Sequence, residues 1–298
     1  MQRILLAVDF DNLCHRIFHG YGEHILTAPD GVTLVTVPQG VLSMILSLAT
    51  NCGATHVACA FESRNGTERR DMAADYKAGR AEKDEGLLAQ MELTNRAVGW
   101  VGWARYRIDR YEADDTLAAL ARVAAEAGFF HTYIATGDKD LMGAVDADTT
   151  MLWLAGGMKK LPENTYTPAR VLARYGVSPA QFADWKALAG DPSDNISGVP
   201  GIGDKTASTL IARYGSLEGI YANLPEIAPA HVAAKLAAGE AAARQSLLLA
   251  RLHPEAPLTP PFDPQAGRLG TDDRARTIAA LERYGLRSII RRLPPPLV

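Results

Sequence analysis

The sequence predicts an α/β fold, in which a central, mostly parallel sheet carries helices on both faces and is followed by a helical region. Two observations support this prediction. In the first half of the chain, short apolar runs alternate with stretches of helical pattern, as they do in proteins built around a parallel sheet. From about Pro168 of the 298 residues onward, helical patterns with clear start signals follow one another.

Five apolar runs in the first half are the predicted strands: Ile4–Val8, His56–Phe61, Ala104–Ile108, Thr132–Ala135 and Met151–Leu154. The helical stretches that lie between them are Gln39–Ala49, Gly86–Val98, Ala113–Ala127 and Lys139–Val145. The alternation of the two patterns defines a first unit, residues 1–167, in which an excursion over about residues 63–85 interrupts the regular order.

The second unit, residues 168–253, is predicted to be helical. Thr167-Pro168 and Ser178-Pro179 each place an N-cap residue before a proline at the first helical position. The predicted helices here and beyond are Ala169–Tyr175, Ala180–Ala189, Lys205–Tyr214, His231–Ala238, Glu240–Arg251 and Asp272–Tyr284. Five prolines in Pro254–Gly267 indicate a linker, so residues 254–298 are predicted to be a linker with a C-terminal helical extension.

Composition and charge exclude several classes of protein. Hydrophobic residues make up 47% and charged residues 22% of the chain, and the net charge of −3 gives no indication of a nucleic-acid partner. Cys14, Cys52 and Cys59 form no CxxC pair and are typical of core thiols in a reducing compartment. The N-terminus enters a strand directly, and no apolar run approaches the roughly 20 residues that span a bilayer. We therefore expect a cytoplasmic protein without a membrane partner.

Acidic residues follow four of the predicted strands. They are Asp9 after the first strand, Glu62 after the second, Glu112, Asp114 and Asp115 after the third, and Asp138 and Asp140 after the fourth. Ligands of open parallel sheets bind in the crevice beyond the carboxyl ends of the strands. The sequence therefore brings carboxylates from four strands to one rim of the sheet.

Carboxylates at such a rim repel one another unless a cation compensates their charge. Hard oxygen ligands favour Mg²⁺ or Mn²⁺ over zinc, which prefers His and Cys. Local alternatives exist, because Asp114 and Asp115 also suit a helix N-terminus and Asp138 suits a turn. A further acidic pair, Asp191 and Asp194, is spaced to lie on one side of a helical turn, for which helix capping is the alternative.

The excursion after Glu62 is rich in basic residues and leaves the sheet at the same rim. Its cations are Arg64, Arg69, Arg70, Lys77 and Arg80. Such cations above a carboxylate–metal cluster would neutralise phosphate oxygens and stabilise charge that builds up in a transition state. The alternative is a solvated loop of mixed charge, because Glu68, Asp71 and Asp75 are interleaved.

The Gly- and Pro-rich stretch Val199–Ala207 has the form of a helix–hairpin–helix, within about residues 190–214. Gly201 and Gly203 would bring backbone N–H groups close to a phosphate, and the helix that begins near Lys205 and Thr206 would add positive potential. Such a contact positions a duplex but reads no sequence. An ordinary glycine-rich connector between helices is the alternative.

Taken in order, these motifs resemble the 5′-nuclease family, which comprises the N-terminal domain of bacterial DNA polymerase I, phage 5′-exonucleases and eukaryotic flap endonucleases. The matching stretches are Leu6–Asp9, Ala60–Glu62, Tyr76–Arg80, Tyr111–Asp115, Thr136–Leu141 and Gly190–Ala207. The resemblance runs from residue 3 to about residue 250. It implies a PIN-like nuclease core over residues 1–167 and a DNA-binding function for residues 168–253.

The resemblance also implies residue roles. The metal ligands would be Asp9, Glu112, Asp114, Asp115, Asp138, Asp140, Asp191 and Asp194, which would bind two Mg²⁺ ions, with Mn²⁺ as a substitute. Glu62 stands where the family usually has Asp and would be a further ligand with a longer reach. Lys77 and Arg80 would lie at the base of a helical arch, with Tyr76 beside them and Arg69 nearby, as the catalytic group. Arg64, Arg70, Gly201, Gly203, Lys205 and Thr206 would bind DNA, commonly with K⁺ at the hairpin.

The implied activity is a 5′–3′ exonuclease and flap endonuclease that acts, as a monomer, on 5′ flaps, nicks, gaps and free 5′ ends of DNA, and on RNA–DNA hybrids. Two alternatives stay open: a ribonuclease of the related acidic-site type, and a catalytically impaired structure-specific DNA-binding protein with Glu62 as its first lesion. The sequence carries no counterpart of the polymerase domain. A stand-alone enzyme, including a phage-encoded one, and a polymerase-derived fragment are both compatible with it.

Overall fold

A computed structural model of the protein describes residues 2–20, 24–79, 84–155, 163–270 and 273–295. Within these residues, one six-stranded sheet separates two groups of helices, and a largely helical region follows. The predicted α/β fold class is confirmed. No helix of the described part of the chain combines the length and the apolar character that crossing a membrane requires.

The sheet has the strand order β3-β2-β1-β4-β5-β6. Its strands are β1 (Ile4–Asp9), β2 (His56–Ala60), β3 (Ala104–Tyr106), β4 (His131–Thr136), β5 (Thr149–Trp153) and β6 (Thr165–Tyr166). The first five are the predicted strands, and they pair in parallel, whereas β6 pairs antiparallel with β5. The sequence prediction missed β6 because two residues are too few to show a strand period.

Side chains of β1 alternate between two hydrophobic clusters, one on each face of the sheet. Leu5 and Ala7 belong to the first cluster, Leu6 and Val8 to the second, and all four are buried. A strand that is covered on both faces reads as a continuous apolar run, which is why these strands are visible in the sequence. The central position of β1 places its carboxyl end in the middle of the rim.

Five helices of the described residues lie between β1 and β4 along the chain. They are α1 (Phe10–Gly20), α2 (Thr36–Cys52), α3 (Glu68–Met72), α4 (Glu85–Trp100) and α5 (Ala113–Glu126). Helix α1 was not predicted, because it begins directly after β1 with no turn between the two elements. Its buried residues Phe10, Leu13, Cys14 and Ile17 nevertheless follow the helical period. The predicted helical stretch Lys139–Val145 is a 3-10 helix over Lys139–Ala144.

The remaining helices are α6 (Pro168–Tyr175), α7 (Phe182–Ala189), α8 (Asp204–Tyr214), α9 (Leu217–Ala222), α10 (Ala230–Ala250), α11 (Arg274–Arg283) and α12 (Arg287–Ile290). The two helices predicted over residues 231–251 are one helix, α10, which continues through Gly239. A Cβ atom at Gly239 would lie 2.7 Å from Cγ1 of Val199, so the glycine lets α10 approach the neighbouring segment closely.

The segment after α10, predicted to be a linker, is docked on the sheet. Thr259 forms a bridge with Arg107, and the carbonyl of Gly267 accepts a hydrogen bond of 2.8 Å from the N–H of Val57. A Cβ atom at Gly267 would lie 2.1 Å from the Val57 carbonyl oxygen, so only glycine fits there. One hydrophobic cluster also joins the sheet to helices α7, α8 and α10, so the two predicted units share a core.

Candidate active site

The carboxyl ends of β1, β2 and β4 bring acidic residues to one rim of the sheet. Asp9 is the last residue of β1, Glu62 follows β2 by two residues, and Asp138 follows β4 by two residues. Glu112 is the N-cap of α5, whose first turn holds Asp114 and Asp115. The rim forms because the three strands are parallel neighbours, with β1 between β2 and β4.

Asp9 is buried at the centre of this rim. Its Oδ1 accepts a hydrogen bond of 3.0 Å from the N–H of Asn12, and its Oδ2 accepts one of 2.8 Å from the hydroxyl of Thr136. Burial raises the pKa of Asp9 to about 6 against the lowering effect of these bonds, with help from the charges of Asp11 and Asp138. Burial and then the charge of Asp138 raise the pKa of Asp114 well above its ordinary value. Both carboxylates would be stabilised by a nearby cation.

Three carboxylates meet closely enough to hold a metal ion: Asp138, Asp140 and Asp194 each place an oxygen within 4.8 Å of the others' oxygens. Within the described residues, the buried Oδ1 of Asp140 has no hydrogen-bond partner. A buried acceptor without a partner is costly, and a bound cation would satisfy it. Burial and the charges of Asp138 and Asp194 raise the pKa of Asp140 to about 6, although Lys186 lowers it. These residues fit a divalent ion with oxygen ligands.

Lys186 on α7 is a member of this cluster that the sequence analysis missed. Its side chain is only 1% exposed, and its Nζ lies 2.5 Å from Asp140 Oδ2, 2.8 Å from Asp191 Oδ2 and 3.6 Å from Asp194 Oδ2. Burial lowers the pKa of Lys186, but the three carboxylates outweigh it and raise the pKa above its ordinary value. A signal was available in the sequence, because Lys186 stands among apolar residues of its helix.

Asp191 lies beside the same cluster, but its oxygens already contact two lysines and accept hydrogen bonds from Ser193. Oδ1 accepts hydrogen bonds from the N–H of Ser193 at 3.1 Å and from its hydroxyl at 2.6 Å, and lies 3.2 Å from Nζ of Lys139. Burial raises the pKa of Asp191, but Lys186, Ser193 and Lys139 outweigh it and hold the pKa well below the ordinary value. Its role as a metal ligand stays a prediction.

Glu112 is the point where the basic excursion meets the acidic rim. Its Oε2 accepts hydrogen bonds from Arg69 Nη1 at 3.1 Å and from the Tyr76 hydroxyl at 3.0 Å, and its Oε1 accepts one of 3.0 Å from Lys77 Nζ. Burial and then the charge of Glu112 raise the pKa of Tyr76. The predicted neighbours Tyr76 and Lys77 thus lie directly beside a predicted metal ligand.

Lys77 is 6% exposed and adopts a positive φ of 55°. Its Nζ also lies 3.9 Å from Oδ2 of Asp194, so the ammonium group stands between Glu112 and the three-carboxylate cluster. The alternative of a solvated loop is therefore wrong for this residue. Arg80, the other predicted cation of the arch base, lies outside the described residues.

Arg69, predicted to be near the catalytic cations, is bound on all sides by protein groups. All five of its N–H donors bond to protein acceptors, namely the carbonyls of Leu249 and Arg251, Glu112 once and Asp115 twice. It therefore holds no donor ready for a phosphate in this arrangement, and its assignment to the catalytic cations stays a prediction. Burial lowers the pKa of Arg69, but Asp115 outweighs it and raises the pKa. Arg69 joins α3, the start of α5 and the end of α10.

Asp115 is the counterpart of Arg69 and is completely buried. Besides the two bonds from Arg69, its Oδ2 accepts from the N–H of Glu112 at 3.2 Å and its Oδ1 accepts from the N–H of His253 at 3.0 Å. Asp115 and Glu112 together form a capping box at the start of α5. Its contacts indicate an anchor for Glu112, and its predicted role as a metal ligand stays untested.

Glu62 is half-buried at the rim. Burial, followed by the charges of Glu112 and Asp11, raises its pKa to about 8. Asp11 acts on both Glu62 and Asp9, so it is a rim carboxylate that the sequence analysis did not single out. Arg64 and Arg70 are exposed beside this rim segment, where a ligand could reach them.

The glycine hairpin lies between α7 and α8, in agreement with a helix–hairpin–helix. Ile202 N–H donates to the Val199 carbonyl at 3.0 Å, and Gly201 has a φ of 80°, which favours glycine. Gly203 is the N-cap of α8, and an added Cβ there would meet nothing within 4 Å. Lys205 and Thr206 follow in the first turn of α8. The backbone at Gly203 is therefore open to a large ligand, whereas Gly201 lies against the end of Lys235.

Comparisons with known proteins agree with this arrangement. The family profile "5′-3′ exonuclease, N-terminal resolvase-like domain" matches residues 4–176, and "5′-3′ exonuclease, C-terminal SAM fold" matches residues 177–273. DNA polymerase I of Mycobacterium leprae is 35% identical over 224 residues, which are 75% of this chain and 24% of that protein. The thermostable DNA polymerase I of Thermus thermophilus is 34% identical over 286 residues, which are 96% of this chain and 32% of that protein.

Solved structures share the fold at lower identity. T5 5′-exonuclease with bound divalent metal ions (zinc) is 21% identical, with a TM-score of 0.68 over 98% of each chain. The catalytic core of Rad2 in complex with DNA substrate is 14% identical, with a TM-score of 0.60 over 98% of this chain and 92% of that one. The chain spans about a quarter to a third of the length of the polymerases that it matches.

Proposed function

The chain belongs to the 5′-3′ exonuclease family, and we propose that it is a structure-specific nuclease which hydrolyses phosphodiester bonds of DNA at 5′ ends and 5′ flaps. The observation that carries this proposal is the carboxylate cluster Asp138–Asp140–Asp194, with an unpartnered buried oxygen and with Lys77 3.9 Å from Asp194. A cation site next to a buried ammonium group is suited to a phosphodiester, whose charge both would compensate.

The proposed metal ligands form two groups. Asp138, Asp140 and Asp194 would hold one Mg²⁺ or Mn²⁺ ion. Asp9, Glu112 and Asp114, with Glu62 at the edge, would hold a second ion. Asp191 would support the first group, and Asp115 would support the second group through Glu112. When bound, two divalent ions at a phosphodiester lower the pKa of the attacking water and compensate charge on the leaving oxygen.

The protein's own residues would orient the scissile phosphate. Tyr76 and Lys77 hold both oxygens of Glu112 and so fix its orientation. Lys77 would contact the phosphate, with Arg80 proposed beside it. Lys186 keeps Asp140, Asp191 and Asp194 together in spite of their like charge.

The proposed partner is DNA with a 5′ flap, nick, gap or free 5′ end, and an RNA–DNA hybrid would fit the same features. Rad2 was solved with a DNA substrate, and T5 5′-exonuclease with divalent metal ions. Arg64 and Arg70 would contact backbone phosphates near the site, and Gly201, Gly203, Lys205 and Thr206 would hold the duplex. We propose a monomer as the active form.

Two alternative functions can be distinguished from the proposed one by their substrates and products. A ribonuclease of the related acidic-site type would prefer single-stranded RNA, and a catalytically impaired DNA-binding protein would bind a flap without cutting it. The second alternative placed its first lesion at Glu62, which still stands at the rim beside Glu112 and Asp11. Burial and the charge of Glu112 raise the pKa of Glu62, and a cation bound nearby would favour its ionised form.

A cleavage assay tests the proposal. A 5′-labelled flap DNA and a single-stranded RNA of equal length would be incubated with the protein in Mg²⁺ and in EDTA. We expect cleavage near the flap junction in Mg²⁺ only, with much slower loss of the RNA. Faster RNA cleavage would favour the ribonuclease, and flap binding without cleavage would favour the impaired protein. The Asp138→Asn variant is the matched control for contaminating nucleases.

A further inference from the structure

Helix α10 runs alongside the glycine hairpin and contacts it at three points on one face. Nζ of Lys235 donates a hydrogen bond of 3.1 Å to the carbonyl of Gly201. One turn later, Gly239 packs against Val199, and further along the hydroxyl of Ser246 accepts a bond of 3.1 Å from the N–H of Gly198. Positions 235, 239 and 246 repeat at helical spacing, so α10 fixes where Lys235 stands.

The ammonium group of Lys235 lies directly against the hairpin's left-handed glycine. A Cβ atom at Gly201 would be 2.8 Å from its Nζ and 3.0 Å from its Cε. An ammonium group has three N–H donors, and within the described part of the chain one of them goes to the Gly201 carbonyl. The residue is exposed, so its ammonium group is accessible to a ligand.

The surroundings of this ammonium group suit an anion. The N-terminus of α8, an eleven-residue helix, begins at Asp204 two residues after Ile202, and its unpaired N–H groups carry positive potential. Lys205 adds a second cation to the same turn, whereas Asp204 is the acidic residue there. Neither Gly201 nor Gly203 has a side chain that would keep a phosphate away.

We propose that Lys235 is the cation of the hairpin: its ammonium group bridges the Gly201 carbonyl and a backbone phosphate of the bound duplex. This inference rests on the proposed function, because it assumes that the hairpin holds DNA. The family resemblance places K⁺ at such a hairpin. In this chain a side-chain cation already donates to one of the hairpin carbonyls, so the chain would not depend on K⁺ for this contact.

Equilibrium binding of a 5′-flap duplex in EDTA, measured by fluorescence anisotropy, tests the inference without any cleavage. The variants are Lys235→Met, which removes the charge but keeps the length, and Lys235→Arg, which keeps the charge. The matched control is Arg244→Met on the same helix, because Arg244 pairs with Glu218 and Glu240 and not with the hairpin. Each is titrated over a range of salt concentrations and with K⁺ replaced by tetramethylammonium at equal ionic strength.

Lys235→Met is expected to raise the Kd by about tenfold for every duplex sequence and to lower the salt slope by about one. Lys235→Arg should stay within about threefold of the wild type, and Arg244→Met should leave the salt slope unchanged. Wild-type affinity should be the same in K⁺ and in tetramethylammonium, and only Lys235→Met should gain a preference for K⁺.

An equal salt slope in the wild type and Lys235→Met would overturn the inference, as would a wild-type protein that needs K⁺ for tight binding. Failure of the proposed function has a different signature. In that case the wild type itself would not bind the flap in preference to single-stranded DNA, whatever residue stands at position 235.

Discussion

Arg69 and Asp115 form a two-point ion pair, with Nη1 2.5 Å from Oδ2 and Nη2 2.8 Å from Oδ1. Both side chains are almost completely buried. The pair ties the short helix α3, which begins the basic excursion, to the helix that carries Glu112. It also reaches the end of α10 through the carbonyls of Leu249 and Arg251. A single guanidinium group thereby fixes the distance between the excursion and the acidic rim.

Replacing Arg69 by Lys keeps the positive charge but cannot reproduce five N–H donors in one plane. Asp115 and two carbonyls would then be left with incomplete hydrogen bonding in a buried place. We expect the free energy of unfolding in urea to fall by about 3 kcal/mol. Arg70→Lys, at the exposed neighbouring position, is the control and should change it by less than about 0.5 kcal/mol. Equal unfolding midpoints for the two variants would show that the clamp contributes little.

Metal-free stability should fall as the pH rises. The pKa values of Asp9 and Asp140 are raised from 3.8 to about 6, and that of Glu62 from 4.5 to about 8. The folded state therefore keeps protons that the unfolded state releases, so the free energy of unfolding decreases between about pH 4 and pH 8. The proposed Mg²⁺ would bind the ionised folded state, so its addition is expected to reverse this loss.

The measurement is the Tm in EDTA and in Mg²⁺ at pH 5 and at pH 8. The increase in Tm that Mg²⁺ produces should be larger at pH 8, and Asp140→Asn should reduce the difference. A Tm that does not respond to Mg²⁺ at either pH, together with cleavage in EDTA, would contradict the proposed metal centre.

Glu62 allows a test of whether its longer side chain still serves the metal centre. Glu62→Asp restores the residue that the family usually has and should keep most of the activity. Glu62→Ala should slow single-turnover cleavage by about 10- to 100-fold, as the loss of a group that supports a metal site does. Glu62→Gln separates charge from shape and should resemble Glu62→Ala. If Glu62→Ala cuts as fast as the wild type, this position has no part in the chemistry.

Removing the ammonium group of Lys77 should affect the reaction far more than DNA binding. Lys77→Met is expected to lower the single-turnover rate by on the order of 10²-fold, because a preorganised cation acts where charge develops in the transition state. Affinity should change only modestly, since Arg64 and Arg70 still supply phosphate contacts. Because Lys77 also pairs with buried Glu112, the variant's unfolding must be measured in parallel.

The control for Lys77 is Arg283→Met on α11, whose exposed guanidinium stacks on Tyr284. Lys77→Arg provides a second comparison, because it keeps the charge and should recover part of the rate. Equal cleavage rates for Lys77→Met and Arg283→Met would remove Lys77 from the proposed catalytic group.

A substitution at Gly203 tests the approach of a phosphate to the backbone without the backbone strain that a substitution at Gly201 would add. At Gly201 any side chain meets both a φ of 80° and the end of Lys235. At Gly203 an added Cβ meets nothing within 4 Å, so Gly203→Ala should change stability by less than about 1 kcal/mol. It should nevertheless raise the Kd for duplexes of any sequence and leave the turnover of bound flap unchanged. A turnover defect at unchanged affinity would contradict a purely binding role.

The strands and the rim could be predicted from the sequence because both depend on local order. A buried parallel strand is an apolar run, and its carboxyl end is simply the next residue, so Asp9, Glu62 and Asp138 could be placed together. The N-cap position of Glu112 has the same local origin. By contrast, α1 was missed because it begins at the residue directly after β1, with no turn between the two elements.

The roles of single cations could not be predicted in this way. Lys186, Arg69 and Lys235 are a buried counter-ion, a clamp and a hairpin contact. The apolar neighbours of Lys186 indicate burial and Arg69 belongs to the basic excursion, but the sequence does not show which groups each cation contacts. Burial of a basic side chain depends on which helices pack around it, and that information lies in residues far along the chain. The basic excursion was therefore recognised as a set, whereas the buried contacts of Arg69 within it could not be foreseen.

The salt bridge between Lys186 and Asp140 has an evolutionary consequence. The two family profiles meet between residues 176 and 177, yet this contact joins one side of that boundary to the other. Recombination at the boundary would exchange one half of an ion pair without the other. A chimaera that unites residues 1–176 with a C-terminal half lacking a lysine at the place of Lys186 would leave Asp140 without this counter-ion. Exchange of either half alone is therefore expected to disturb the acidic cluster unless the lysine is kept.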